Sequence, residues 1–170
     1  MVIRRSIWIL FGILLISVWL LGFAIQAGAE TMNFKVYTYV TKAERALIGD
    51  AEGHTVGLTM RGSFYVFENG EVATVNAVAT NDLIKGGGPF LNYITVNFTD
   101  GSTIIIRGEG TLGAMGATGT WKSEITKGTG RYEGIKGTAT FRVKYLPVEK
   151  GEAGAKGYGE GTITYTPPSK

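Results

Sequence analysis

Gly128-Thr129-Gly130-Arg131-Tyr132-Glu133-Gly134-Ile135-Lys136-Gly137 places four glycines in ten residues between two stretches that read as β-strands. Glycine adopts positive φ without a Cβ clash, so this spacing implies a backbone folded tightly on itself. Tyr132 and Ile135 are three apart, the interval that sets two side chains on one side of a helical or 3-10 turn. The stretch reads as a compact plug under one end of a barrel, feeding directly into the next strand.

The strands around it follow from alternation and from turn residues. Asn33–Lys42 is rich in aromatic and β-branched residues, with Phe34, Val36, Thr38 and Val40 on one face and Lys35, Tyr37, Tyr39 and Thr41 on the other. Ala43–His54 reads as a polar connection, with room for one helical turn at Ala43–Leu47. Thr55–Phe67 is a strand interrupted by Gly57 and Gly62, where bulges or bends are expected. Glu68-Asn69-Gly70-Glu71 is a hairpin signal leading to a return strand over Val72–Thr80. Lys85-Gly86-Gly87-Gly88-Pro89 reads as a flexible loop.

Leu91–Phe98 and Ser102–Thr111 form the next hairpin, and its register is arguable. With Gly101 left-handed in a Thr99-Asp100-Gly101 loop, Phe98 faces Ser102, Val96 meets Ile104 and Ile94 meets Ile106 on one face. Tyr93 then lies opposite Arg107, and Thr95 opposite Ile105, on the other face. Ala117–Thr126, Gly137–Leu146 and Tyr158–Tyr165 complete eight strands; 166–170 is expected to fray. Eight strands, short turns and glycines within strands indicate an all-β fold, an eight-stranded antiparallel β-barrel spanning 30–165.

The first residues are set apart from that barrel. Arg4 and Arg5 precede an uncharged run from Ser6 to Ile25, followed by Ala27-Gly28-Ala29. This order marks a secretory signal peptide over 1–29, cleaved after Ala29, in a secreted or periplasmic protein. The run is also long enough for the alternative, a retained N-terminal membrane anchor. Removing it leaves fifteen basic against fourteen acidic side chains, a net +1 in place of +3, with the basic residues scattered. Nucleic acid is therefore not an expected partner. Cysteine is absent, so stability must come from the core, without disulfides.

The glycine-rich turn before a late strand resembles the turn shared by allene oxide cyclase-like and dirigent-like barrels, of calycin type. Gly49-Asp50-Ala51-Glu52-Gly53-His54, Glu68-Asn69-Gly70-Glu71-Val72-Ala73-Thr74 and Asp100-Gly101-Ser102-Thr103 are similar to secreted bacterial members of that superfamily. The resemblance implies a barrel that binds a small apolar ligand, needs no cofactor, and packs as a trimer or dimer through its exterior. It also implies two alternatives: an isomerase or cyclase, or dirigent-type enzyme, acting by confinement of its substrate, or a filled barrel serving as a structural or interaction module. The lack of cysteine departs from the cyclase site, and catalytic residues do not transfer.

Several motifs bear on the site. Gly108-Glu109-Gly110-Thr111-Leu112-Gly113 matches the dinucleotide fingerprint in letters, but glycine-rich sequence and a strand follow instead of the helix that holds a pyrophosphate. His54, the one histidine, has no nucleophile elbow and no metal-ligand spacing around it, and is expected to close the loop after Gly53. Asn97-Phe98-Thr99 is a glycosylation sequon lying in a proposed strand. Tyr37, Tyr39, Tyr93 and Trp121 line an apolar cavity or pack on the exterior against a neighbouring subunit. Arg107 and Glu109, two apart with Tyr93 opposite, are a polar anchor at the barrel mouth or a solvated cross-strand cluster. The candidate ligand residues are thus Tyr39, Tyr93, Arg107, Glu109 and Trp121, with no metal site expected.

Overall fold

Inward apolar and outward polar side chains alternate along most of the chain, and each strand finds its partner in the next. The computed structural model describes residues 28–113, 120–152 and 154–167. The apolar run, residues 114–119 and the last three residues lie outside these. The strands are β1 Glu30–Leu47, β2 His54–Phe67, β3 Val72–Ile84, β4 Gly88–Phe98, β5 Thr103–Leu112, β6 Thr120–Thr129, β7 Lys136–Tyr145 and β8 Gly157–Thr166. Each is antiparallel to its neighbour, and β8 returns to β1 to close the barrel. Among the described residues, closure leaves no free sheet edge to template aggregation.

The β4–β5 register is the expected one. Val96 pairs with Ile104, Ile94 with Ile106 and Tyr93 with Arg107. The Phe98 N–H donates to Ser102 O (3.0 Å), and Gly101 has φ of +83°. Three expectations are corrected. Ala43–Leu47 is neither connection nor helical turn; it continues β1 and pairs with Thr55–Thr59. Both its faces are exposed, so there is no periodicity to read. The bulge is not at Gly57 or Gly62 but at Thr41, left over between the Val40–Arg61 and Lys42–Met60 pairs. Gly62 instead accommodates the Tyr39 ring, which a Cβ there would meet at 2.6 Å. Gly88 and Pro89 belong to β4 rather than to a loop, and Gly87 bridges Ile84; only Lys85 and Gly86 turn.

The plug forms as read. Gly130–Tyr132 is a single 3-10 turn, closed by the Glu133 N–H donating to Gly130 O (3.1 Å). Gly130 sits at φ +61° and Gly134 at +79°, where a side chain is strained. Tyr132 and Ile135 are 7 % and 4 % exposed and join one core with Phe34, Tyr65, Phe67, Phe98, Ile104 and Ile163. Fully burying one such side chain stabilises by about 1.5–3 kcal/mol. The thinnest seam is β6–β7, where Glu124–Thr138 is the one ladder pair among the described residues. Beside it, Ser123 Oγ donates to Ala139 O and accepts from the Ala139 N–H (3.2 Å), doing with a hydroxyl what the ladder does elsewhere.

Candidate functional site

The plug and the turns at 68–71 and 99–102 cover one end of the barrel. The loops at 48–53, 85–87 and 146–156 surround the other, the mouth. Inward positions change character along the axis. Near the plug they are aromatic and aliphatic. Toward the mouth the register aligns Arg61 with Ala77, and Thr59 with Ala79, Asn92, Gly108 and Ser123 across successive strands. Arg61, Ala77, Ala79, Phe141 and Val143 keep partial exposure although they point inward, so water enters this half. Small side chains on inward positions fill this half less fully than long ones would.

Two buried amides sit on inward positions of this half. Asn92 is 6 % and Asn81 9 % exposed. Asn81 Nδ2 reaches Thr59 Oγ1 at 3.5 Å, but the Oδ1 atoms of both asparagines are buried without a partner among the described residues. An unpaired buried acceptor costs about 1–3 kcal/mol, so a pair of them calls for a donor from elsewhere. The space above Gly108 is taken by the neighbouring side chains: a Cβ there would lie 2.3 Å from Asn92 Oδ1 and 2.5 Å from Trp121 Nε1. Trp121 shares the inward face, stacks on Phe141 (5.1 Å) and meets Phe90 edge-on (5.4 Å). It remains 38 % exposed, forming an aromatic rim.

Of the five residues expected from sequence to bind ligand, only Trp121 points inward. Tyr93, Arg107 and Glu109 occupy outward positions of β4 and β5. Arg107 Nη2 donates to Glu109 Oε2 (2.6 Å) and lies 3.8 Å from Glu124. The bond to Glu109 holds the guanidinium above its ordinary pKa. Arg107, Glu109 and Trp121 nonetheless border one cleft of about 760 Å³, lined mainly by outward residues of β2–β6 such as Val56, Leu91 and Lys122. Tyr39 is apart from them, on the outer face of β1 against Gly62. Gly108, Glu109 and Gly110 run along β5, so the dinucleotide-like motif lies on a strand.

His54 closes its loop, as expected, and does so with two carboxylates. Nδ1 bonds Asp50 in the β1–β2 loop, and Nε2 lies 2.7 Å from Asp82 Oδ1 on β3. These bonds, Asp50 first, raise its pKa, and the same contact lowers that of Asp50. Lys85, at φ +50°, adds an ion pair to Glu52 (2.7 Å), and its N–H donates to Gly53 O (3.0 Å). Across the mouth, Arg61 Nη1 donates to Ala155 O (3.3 Å), and Gly154 packs so closely on Val40 that a Cβ would come within 2.8 Å. The β7–β8 loop is thereby drawn over the opening.

Asn81, Asn92 and Arg61 escaped sequence reading. Their signal was strand parity: each falls on the inward face once neighbouring registers are counted.

This is a closed, eight-stranded antiparallel barrel with a dirigent-like fold, plugged at one end and crossed by the β7–β8 loop at the other. No protein-family model matches the sequence, and no curated protein does. The fold is similar to that of a protein of unknown function from the DUF3224 family of Shewanella oneidensis MR-1. That match has a TM-score of 0.54 and 14 % identity, and covers 84 % of this chain and 100 % of the other. It is also similar to the pterocarpan synthase dirigent protein GePTS1, with a TM-score of 0.52 and 14 % identity over 86 % of this chain and 94 % of that one.

Proposed function

We propose that the chain is an exported barrel protein that binds a small, largely apolar molecule in its mouth half. The observation that carries this is the pair of unsatisfied amide oxygens, Asn81 Oδ1 and Asn92 Oδ1, buried beside inward alanines and glycines. A filled structural barrel gains nothing from them, whereas a ligand donor repays their desolvation. Phe90, Trp121 and Phe141 supply the apolar wall. The test is native mass spectrometry of the purified protein, with solvent extraction of whatever it retains. Ala79→Leu, which fills the chamber, is expected to abolish retention without lowering the melting temperature. Retention unchanged in that variant overturns the assignment.

Export rests on the basic start, apolar run and Ala27-Gly28-Ala29, and predicts Glu30 as the mature N-terminus by N-terminal sequencing. An intact N-terminus in the membrane fraction replaces cleavage with anchoring. Self-association through the outer wall is supported by an exposed aromatic row, Tyr158, Tyr37 and Phe64, paired across β8, β1 and β2.

A further inference from the structure

We propose that the molecule the chamber takes is an organic acid with a flat apolar body, and that Arg61 receives its carboxylate. This rests on the reading of the mouth half as a binding chamber and names the ligand class.

Arg61 is on β2, between outward Met60 and Gly62, with its side chain on the barrel's inner face. Its cross-strand neighbours there are Val40 and Ala77, short side chains that leave the guanidinium space. The other arginines that touch the core or the cleft are neutralised: Arg131 by Glu71 and Asp100, Arg107 by Glu109 and Glu124. Arg61 has no carboxylate within salt-bridge distance among the described residues. Among the described residues it makes one hydrogen bond, to Ala155 O, and lies 5.1 Å from the centre of the Tyr145 ring. A guanidinium carries five N–H donors in a planar fork suited to a carboxylate, so most of its capacity is unused.

Tyr145, Val143 and Phe141 are successive inward residues of β7, and Trp121 stacks on Phe141. A flat apolar body lying along that row, from Trp121 toward Tyr145, brings its acid group to Arg61. The Ala155 carbonyl that Arg61 now holds belongs to the loop over the mouth, so an arriving carboxylate competes with the loop for the same cation.

The probes are 2-naphthoate and its neutral counterpart 2-naphthalenemethanol, titrated calorimetrically into the protein and into Arg61→Gln and Arg61→Lys. The naphthoate is expected to bind about tenfold more tightly than the alcohol, the scale of one charge-assisted pair. Arg61→Gln is expected to erase that difference by weakening naphthoate binding about tenfold, with Arg61→Lys restoring part of it. The lysine variant carries the test if the glutamine variant fails to fold by circular dichroism. Equal binding of the two probes, or a naphthoate affinity indifferent to Arg61, overturns the acid assignment and leaves the chamber standing. Binding of neither probe overturns both.

Discussion

Arg131 at the plug end is held by two carboxylates, Glu71 and Asp100, and lies 4.8 Å from the ring centres of both Phe98 and Tyr132. Arg61 at the mouth has one carbonyl and one ring. The same contrast runs through the neighbouring side chains. Ser102 Oγ near the plug accepts the Arg131 N–H (3.2 Å), whereas Asn92 Oδ1 near the mouth accepts nothing among the described residues. Aromatic rings are interlocked at the plug, with Phe98 at 4.8 Å from Tyr132 and 5.5 Å from Phe67; at the mouth they form a half-exposed rim. One end thus satisfies its groups internally and the other leaves capacity unspent, the division expected where a stable scaffold carries a binding site.

The sharpest way to break this comparison is to remove an aromatic ring from each end. Tyr132→Ala is expected to destabilise by about 3 kcal/mol, because a buried ring leaves a cavity in a close-packed core. Trp121→Ala, on a partly exposed rim, is expected to cost about half as much. Urea unfolding of the two variants measures both. Equal losses, or a Tyr132→Ala protein as stable as the parent, remove the distinction between ends.

The plug and the β4–β5 register were legible because each leaves a local mark. Glycines two to four residues apart point to unusual backbone, and one register alone keeps Ile94, Val96, Ile104 and Ile106 on one face. The mouth was illegible for the opposite reason. Arg61 follows Met60 and precedes Gly62, where alternation is too weak to give direction, and the Thr41 bulge lies on its partner strand. The Arg107–Glu109–Tyr93 cluster was legible as a neighbourhood but not as a side of the wall. Parity within one strand does not say which face closes around the axis; the inward choice emerges only when all eight strands agree.

Arg131 gives a second, smaller test. As a solvated surface charge it would be lost at almost no cost in stability. Its contacts with two carboxylates and two rings change that expectation: Arg131→Gln should destabilise by about 1 kcal/mol, chiefly through lost cation–π contact and packing. Thermal unfolding resolves such a change. A neutral result returns Arg131 to the solvated surface and weakens the claim that the plug end satisfies its charges. Added phosphate is expected to leave the melting temperature unchanged, since Glu71 and Asp100 already occupy the Arg131 cation.

The smallest effect is a titration, and it tests whether the mouth is held together where it is not used for binding. His54 is placed between Asp50 and Asp82, with Lys85–Glu52 as the adjacent ion pair, so its protonated form donates from both ring nitrogens and clasps the β1–β2 loop to β3. The folded-state pKa is raised above the ordinary 6.5, first by the bond to Asp50 and then by that to Asp82. A group raised in this way contributes stability that is fully present below its unfolded value and disappears as pH climbs through the folded one. Asp50 works in the other direction: lowered from 3.8 by the same contact, it contributes above that value and loses its contribution as pH falls through the depressed one. The clasp is therefore strongest in mildly acidic solution, between the two carboxylate and imidazole ranges, and loosens toward alkaline pH. Following the His54 ring proton by NMR should give a midpoint above 6.5, moving down in Asp50→Asn and less far in Asp82→Asn. Amide exchange over residues 48–53 should quicken across the same midpoint beyond the ordinary base-catalysed rise, while exchange at Tyr132 and Ile135 follows that rise alone. A midpoint at or below 6.5, or plug amides that respond with the loop, shows that the two ends do not hold themselves together independently.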